Sequence, residues 1–147
     1  GIGLATASNP FGPWEKYKGN PIIEDFGYVG GVVKVKGNYY MFIDYPISST
    51  SPDEGPIALA VSEKPEGPWE KYKYNPVLSP DDWGSWDDGG SSEAGVLYHD
   101  GVFHIFYTVT KSAKLENIGY AYSTDGYKFT KFIGILSQQN IHKMQTG

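Results

Sequence analysis

Seven residues occur twice, letter for letter and 55 positions apart: Gly12-Pro13-Trp14-Glu15-Lys16-Tyr17-Lys18 and Gly67-Pro68-Trp69-Glu70-Lys71-Tyr72-Lys73. Each copy runs on into Asn-Pro and two apolar residues, Asn20-Pro21-Ile22-Ile23 and Asn75-Pro76-Val77-Leu78. Each follows a short run of small and apolar residues ending in Ser, Leu4–Ser8 and Ala58–Ser62. A third such run, Gly119–Ser123, precedes a diverged tail, Tyr127–Lys131. A second unit overlaps the first: Val32–Ile43 matches Val96–Tyr107, 64 positions on, with Gly37 falling on Gly101, Tyr39 on Phe103 and Phe42 on Phe106. A chain that repeats at this period stacks supersecondary units, each of which buries its apolar face on the next.

The units are strands. Aromatic residues make up 16% of the chain, and 19 Gly and 10 Pro interrupt it. Aromatic side chains suit a pleated surface, whereas Gly and Pro end helices. No stretch of about 12 residues free of Gly and Pro carries a helical apolar period. Lys36-Gly37-Asn38 and Asp100-Gly101 are tight-turn chemistry, with Gly supplying positive φ. Each unit therefore reads as four antiparallel strands, A to D. The spacing predicts A at 29–36 and 93–99, and B at 39–45 and 102–109. It predicts C at 2–8, 57–62 and 117–123, and D near 14–18, 69–73 and 128–132. Strand B is apolar on both faces (Tyr39-Tyr40-Met41-Phe42-Ile43; Phe103-His104-Ile105-Phe106-Tyr107), which is what a sheet sandwiched between two others requires.

The expected fold is all-β, with antiparallel four-stranded blades of a β-propeller. The chain holds the second half of a blade (1–23), a full blade (24–78), a second full blade (79–136) and a polar tail (137–147). About two and a half blades cannot close a ring, and closure is how propellers protect their edges. Further blades from a longer chain, or self-association, are the expected partners. Net charge is −5 with no basic stripe, which argues against nucleic acid. No apolar run approaches the ~20 residues that span a bilayer as a helix, so no membrane partner is expected. Cys is absent, and the three His (His99, His104, His142) lack metal-ligand spacing, so neither metal nor cofactor is expected. His104 takes the slot of Tyr40 and reads as a packed, hydrogen-bonded residue. Trp14 and Trp69 read as packing between blades.

Antiparallel connectivity sorts the loops onto two faces. The A–B and C–D turns share one and are short and plain. The D–A connections and B–C loops share the other, and they carry Glu24-Asp25-Phe26-Gly27-Tyr28, Asp44-Tyr45 and the stretch Asp81 to Glu93, with Trp83, Trp86, Asp87 and Asp88. Carboxylates and aromatic rings gathered at one mouth suit carbohydrate, since rings stack on sugars and acids bind hydroxyls. Glu93 is singled out because it opens an innermost strand where the preceding repeat has Val29. A charge in place of an apolar residue there calls for a reason.

Ser92-Glu93-Ala94-Gly95-Val96-Leu97-Tyr98-His99-Asp100-Gly101-Val102-Phe103-His104-Ile105-Phe106-Tyr107 resembles the general-acid strand and hairpin of the five-bladed glycoside hydrolases of family 43 and their relatives in families 32, 62, 117 and 130. Trp86-Asp87-Asp88-Gly89-Gly90 and the Gly-Pro-Trp after strand C are similar to blade elements of that superfamily. Here Ala94-Gly95 stands where family 43 has Gly-Pro. The resemblance implies a glycosidase of arabinan- or xylan-type substrates, working with carboxylates from successive blades and no cofactor. By this likeness Glu93 is the acid. Val29 occupies the place of the residue that orients the acid, so Asp44 or Asp25 would have to serve as its carboxylate partner. Tyr28, Tyr45, Trp83, Trp86, Asp87 and Asp88 would bind the sugar. The other reading is a carbohydrate-binding or assembly module that kept the blades and lost the catalytic set.

Overall fold

The computed structural model describes residues 1–45, 55–82, 85–111 and 115–132. Ten strands follow in chain order: β1 (Ala5–Thr6), β2 (Glu15–Lys16), β3 (Tyr28–Val35), β4 (Asn38–Asp44), β5 (Ile57–Ser62), β6 (Glu70–Lys71), β7 (Gly90–His99), β8 (Val102–Lys111), β9 (Leu115–Ser123) and β10 (Thr130–Lys131). There is no helix among the described residues. β1 and β2 pair as a half-blade, β3-β4-β5-β6 form a middle blade and β7-β8-β9-β10 a last blade, every pairing antiparallel. This is the incomplete, four-stranded blade architecture that the repeats predict. The D strands are shorter than expected, two residues each, and β7 begins at Gly90, before the predicted start. The tail at 137–147 lies outside the described residues.

The hairpins follow from local chemistry. Val35 faces Asn38 across Lys36-Gly37, with φ of 50° and 94°, and His99 faces Val102 across Asp100-Gly101, with φ of 48° and 82°. Two central residues with positive φ give a type I′ turn, whose twist matches that of the flanking strands. The repeated Asn also acquires a role. Asn20 accepts from the Leu4 N–H at 2.7 Å and donates to the Leu4 carbonyl at 2.8 Å; Asn75 does the same to Leu59, at 2.8 and 2.9 Å. The side-chain amide thus takes the place of a peptide group and ties the end of strand D to strand C. Asn75→Ala strands one donor and one acceptor in a part-buried site. We expect a loss of about 1–3 kcal/mol in unfolding free energy, read from urea denaturation, with Asn75→Asp failing to rescue because it cannot donate.

Two apolar layers separate the blades. Ile2 and Ile23 of the half-blade meet Met41, Ile43, Ala58 and Ala60 on one face of the middle blade, with Trp69 packed beside them. On its other face Phe42, Ile57 and Leu59 meet Phe103, Ile105 and Tyr107 of the last blade. β4 is accordingly buried on both sides. β8 is buried on one side only: Ile105 and Tyr107 are interior, while Phe106 is 41% exposed. The expectation of two-sided burial fails here because no described strand lies beyond the last blade. For the same reason Trp14, expected to pack between blades, is 60% exposed on the outer side of the half-blade. Where the middle and last blades meet, the inner strands touch through backbone. A Cβ on Gly30 would lie 2.9 Å from Ala94 N and O, and one on Gly31 2.8 Å from Ala94 O.

Candidate functional site at the channel mouth

Both inner strands carry a bulge at the same place in the repeat, between Val29 and Gly31 in β3 and between Ser92 and Gly95 in β7. An extra residue re-aims the side chains beside it. In β3 the bulge holds Val29 and Gly30. In β7 it holds Glu93 and Ala94, and Glu93 has φ of 50°. A left-handed conformation costs an ordinary L-residue about 1–2 kcal/mol and persists where surrounding contacts enforce it. Glu93 therefore does not open its strand, as the sequence suggested; it sits within β7, at a strained kink.

Two contacts hold it. The Glu93 N–H donates to Asp44, at 2.8 Å from both Oδ1 and Oδ2. Thr108 Oγ1 donates to Glu93 Oε2 at 2.9 Å. Asp44 and Thr108 are themselves repeat equivalents, 64 positions apart near the ends of their B strands. One reaches the glutamate from the preceding blade, the other from within its own. The carboxylate stays exposed. If Glu93 were there to stabilise the fold, Gly would be a poor substitute. We expect the opposite for Glu93→Gly, with no fall in melting temperature, because relief of about 1 kcal/mol of backbone strain offsets the lost hydroxyl contact.

Asp44 links this point to a second group. It lies directly across from Tyr28 in the β3–β4 ladder, so the two side chains share one face. Tyr28, Tyr45, Asp25, Phe26 and Gly1 line an open cavity of about 370 Å³. Phe26 fixes Tyr45 edge to face at 5.6 Å, and the Lys71 ammonium caps Phe26 at 4.7 Å while donating to the Glu24 carbonyl at 3.1 Å. Tyr28 and Tyr45 remain exposed beside it. The structure thus brings together Glu93, Asp44 and Tyr28, with Asp25 and Tyr45 alongside.

The Trp/Asp-rich lead-in to β7 behaves differently. Asp87 is fully buried. Its carboxylate pairs with Lys131, accepts from Ser85 Oγ at 2.9 Å and from the Asp81 N–H at 3.2 Å, and Lys131 also reaches Asp81 at 3.0 Å. Lys131 and Lys71 hold equivalent places in their blades, opposite Ala121 and Ala60. Each D-strand lysine ties down the segment leading into its own blade. Asp87 is therefore a structural partner of Lys131 and not a sugar ligand, because no part of it meets solvent. Trp86 packs into the interior against Tyr107, with ring centroids 6.5 Å apart, and is no open stacking platform. Burial first, then Asp87 and Asp81, holds the Tyr107 hydroxyl far above the usual phenol range. Asp88 is half-buried in the turn before β7, and Trp83 lies outside the described residues. His104 is half-buried and bonded to the Tyr120 hydroxyl at 2.8 Å. No group of three or more His, Asp or Glu among the described residues is arranged to hold a metal ion. Thr108 is the site residue that sequence reasoning missed; its match to Asp44 one repeat earlier was the available signal.

No family model and no curated protein matches the chain in sequence. Its structure is another matter. A glycoside hydrolase superposes with a TM-score of 0.65 at 22% identity, over 82% of this chain and 35% of that one. A family 117 glycoside hydrolase from the marine bacterium Zobellia galactanivorans gives 0.59 at 22% identity, covering 70% and 30%. A GH43_1 enzyme from Xanthomonas citri gives 0.63 at 12% identity, covering 80% and 35%. At such identities the likeness is one of fold. This chain spans about a third of the length of those proteins, and over that span its four-stranded antiparallel blades superpose on theirs.

Proposed function

We propose that the chain is the acid-bearing part of a glycoside hydrolase propeller that cleaves arabinan- or xylan-type chains. The observation that carries this reading is the setting of Glu93: an exposed carboxylate on a left-handed bulge, held by Thr108, with its N–H held by Asp44. A fold gains nothing from a strained glutamate in place of glycine, whereas an acid catalyst gains a fixed direction. Glu93 would protonate the leaving oxygen. Hydrolysis also needs a second carboxylate across the scissile bond, about 5–5.5 Å away for retention or 6.5–9.5 Å for inversion, and no cofactor. Among the described residues Asp25 and Asp44 are the candidates for it, and Tyr28 and Tyr45 would offer ring faces to the sugar.

One observation favours a second reading, a carbohydrate-binding module. Val29 stands where the repeat would place an inner-strand acid, and Asp44 already serves the Glu93 N–H. The two readings separate in a single experiment. The chain is titrated with arabino- and xylo-oligosaccharides while amide resonances of Tyr28, Asp44 and Glu93 and the release of reducing ends are followed together. Shifts with release support the hydrolase, and shifts without release the binding module. Neither shift nor release from any of these sugars would sink both.

A further inference from the structure

Gly67–Lys73, the second copy of the literal repeat, builds a hollow of its own. Gly67, Pro68 and Glu70 line an open cavity of about 500 Å³, and Glu70, Lys71, Tyr72 and Lys73 an adjoining one of about 360 Å³. Six of the seven repeated residues thus border this hollow. The seventh fixes its wall: Trp69 Nε1–H donates to the Pro65 carbonyl at 3.1 Å. The same turn is braced by the Lys64 N–H, which donates to Ser62 Oγ at 3.1 Å, and by the Gly67 N–H, which donates to the Lys64 carbonyl at 3.0 Å. Tyr40, Val61 and Glu70 stand opposite one another across β4, β5 and β6, so their side chains emerge together on the face toward the last blade. Tyr127 of that blade forms the far wall, its ring 4.9 Å from Tyr72 and 6.1 Å from Tyr40. The hollow therefore sits in a seam whose two walls both belong to described blades.

Packing accounts for the repeated Trp and Tyr, but not for Glu70 and its copy Glu15, both exposed. The Glu70 carboxylate meets no cation among the described residues. We propose that the seam is a second carbohydrate site, one that holds a polysaccharide chain without cleaving it. Its floor, Val61 with the rings of Tyr72 and Tyr127, suits the C–H face of a sugar. Its rim offers the hydroxyls both kinds of partner: the Glu63 and Glu70 carboxylates accept, the Lys64 ammonium donates, and the Asn38 amide does either. Two carboxylates repel a phosphate, and no third acid or His among the described residues joins them to hold a metal ion. Both volumes fall within the roughly 300–1,000 Å³ of small-ligand sites, and the shared Val61 and Glu70 let one sugar unit follow another. Asn38 opens β4 and Asp44 ends it, which sets the seam about 20 Å from the mouth. A polymer held there is tethered near Glu93 and out of its reach. The choice of a sugar rests on the reading of the mouth, yet the two sites share no lining residue and can fail separately.

Xylohexaose and arabinohexaose are titrated into the chain while amide resonances of the seam (Asn38, Ser62, Glu70) and of the mouth (Tyr28, Asp44, Glu93) are followed together. Saturable shifts are expected at the seam with at least one of the two sugars. Glu70→Ala should weaken that binding about tenfold or more, the loss of a hydrogen bond to a charged group, and leave the mouth unchanged. Glu63→Ala takes its place should Glu70→Ala alter the near-UV circular dichroism. Tyr28→Ala should leave the seam shifts as they are. Mouth shifts with a silent seam overturn the second site and leave the proposed function standing. Seam shifts with a silent mouth support the second site and count against that function. Seam shifts that Glu70→Ala leaves untouched, or that Tyr28→Ala abolishes, overturn the second site. Silence at both places overturns both.

Discussion

Replacing Glu93 by Gln should lower turnover of an unactivated glycoside by about 10²–10⁴-fold, the usual share of general acid catalysis. The substitution keeps the shape and length of the side chain. It also keeps an acceptor for Thr108 Oγ1, now 2.9 Å from Glu93 Oε2, and the Asp44 contact to the backbone N–H is untouched. Only the transferable proton is lost. Sugar affinity should survive, because the amide still bonds hydroxyls. Nitrophenyl glycosides should suffer less than natural linkages, since a good leaving group departs without protonation. Rates and melting temperature are to be measured on one preparation of protein that shows basal hydrolysis. A lowered melting temperature with unchanged rate per folded molecule would end the assignment of Glu93 as the acid.

Gly27→Ala should be strongly destabilising. Gly27 has φ of 112°, where an L side chain is strained, and a Cβ there would fall 2.0 Å from the Asp44 carbonyl oxygen. The clash is with backbone, which cannot swing aside as a side chain would. Backbone strain of about 1–3 kcal/mol and forced displacement of similar size add to about 2–6 kcal/mol. Denaturant titration with coincident circular dichroism and fluorescence midpoints reads it. Because the displaced residue is Asp44, the Glu93 amide resonance should also move. A shift in stability below about 0.5 kcal/mol would show that the turn before β3 is laxer than its geometry.

The blades were legible because repetition is a statement about packing that needs no coordinates. The offset from Val32 to Val96 identified the hairpins, and the Gly of each turn identified their type. What the sequence left hidden was set by neighbours. Phe106 and Phe42 are the same residue at equivalent places, yet one is buried and the other exposed, since only the latter's blade is followed by another described blade. Asp87 was expected to bind sugar at the same mouth as Glu93, the expected acid. The distinction came from Lys131, 44 residues beyond Asp87, which claims the aspartate for the interior. The bulge that tilts Glu93 was concealed by its alternation with ordinary strand residues. Thr108 went unnoticed because it is a hydroxyl in a slot where the other copy has an acid.

The tie from Asp44 to the Glu93 N–H spans 49 residues and crosses from one blade to the next, beside the place where Gly30 and Gly31 lie against Ala94. The direction of the glutamate therefore reports the spacing between two sheets that meet across an apolar layer and are also joined by the Ser91 N–H, which donates to the Gly55 carbonyl at 3.1 Å. A shear of an ångström at that layer would leave every strand ladder intact while releasing the bulge to relax, since hydrogen bonds within sheets do not cross it. Loss of chemistry and loss of secondary structure become separate events. Mild denaturant should disarm such a protein well before circular dichroism records any change.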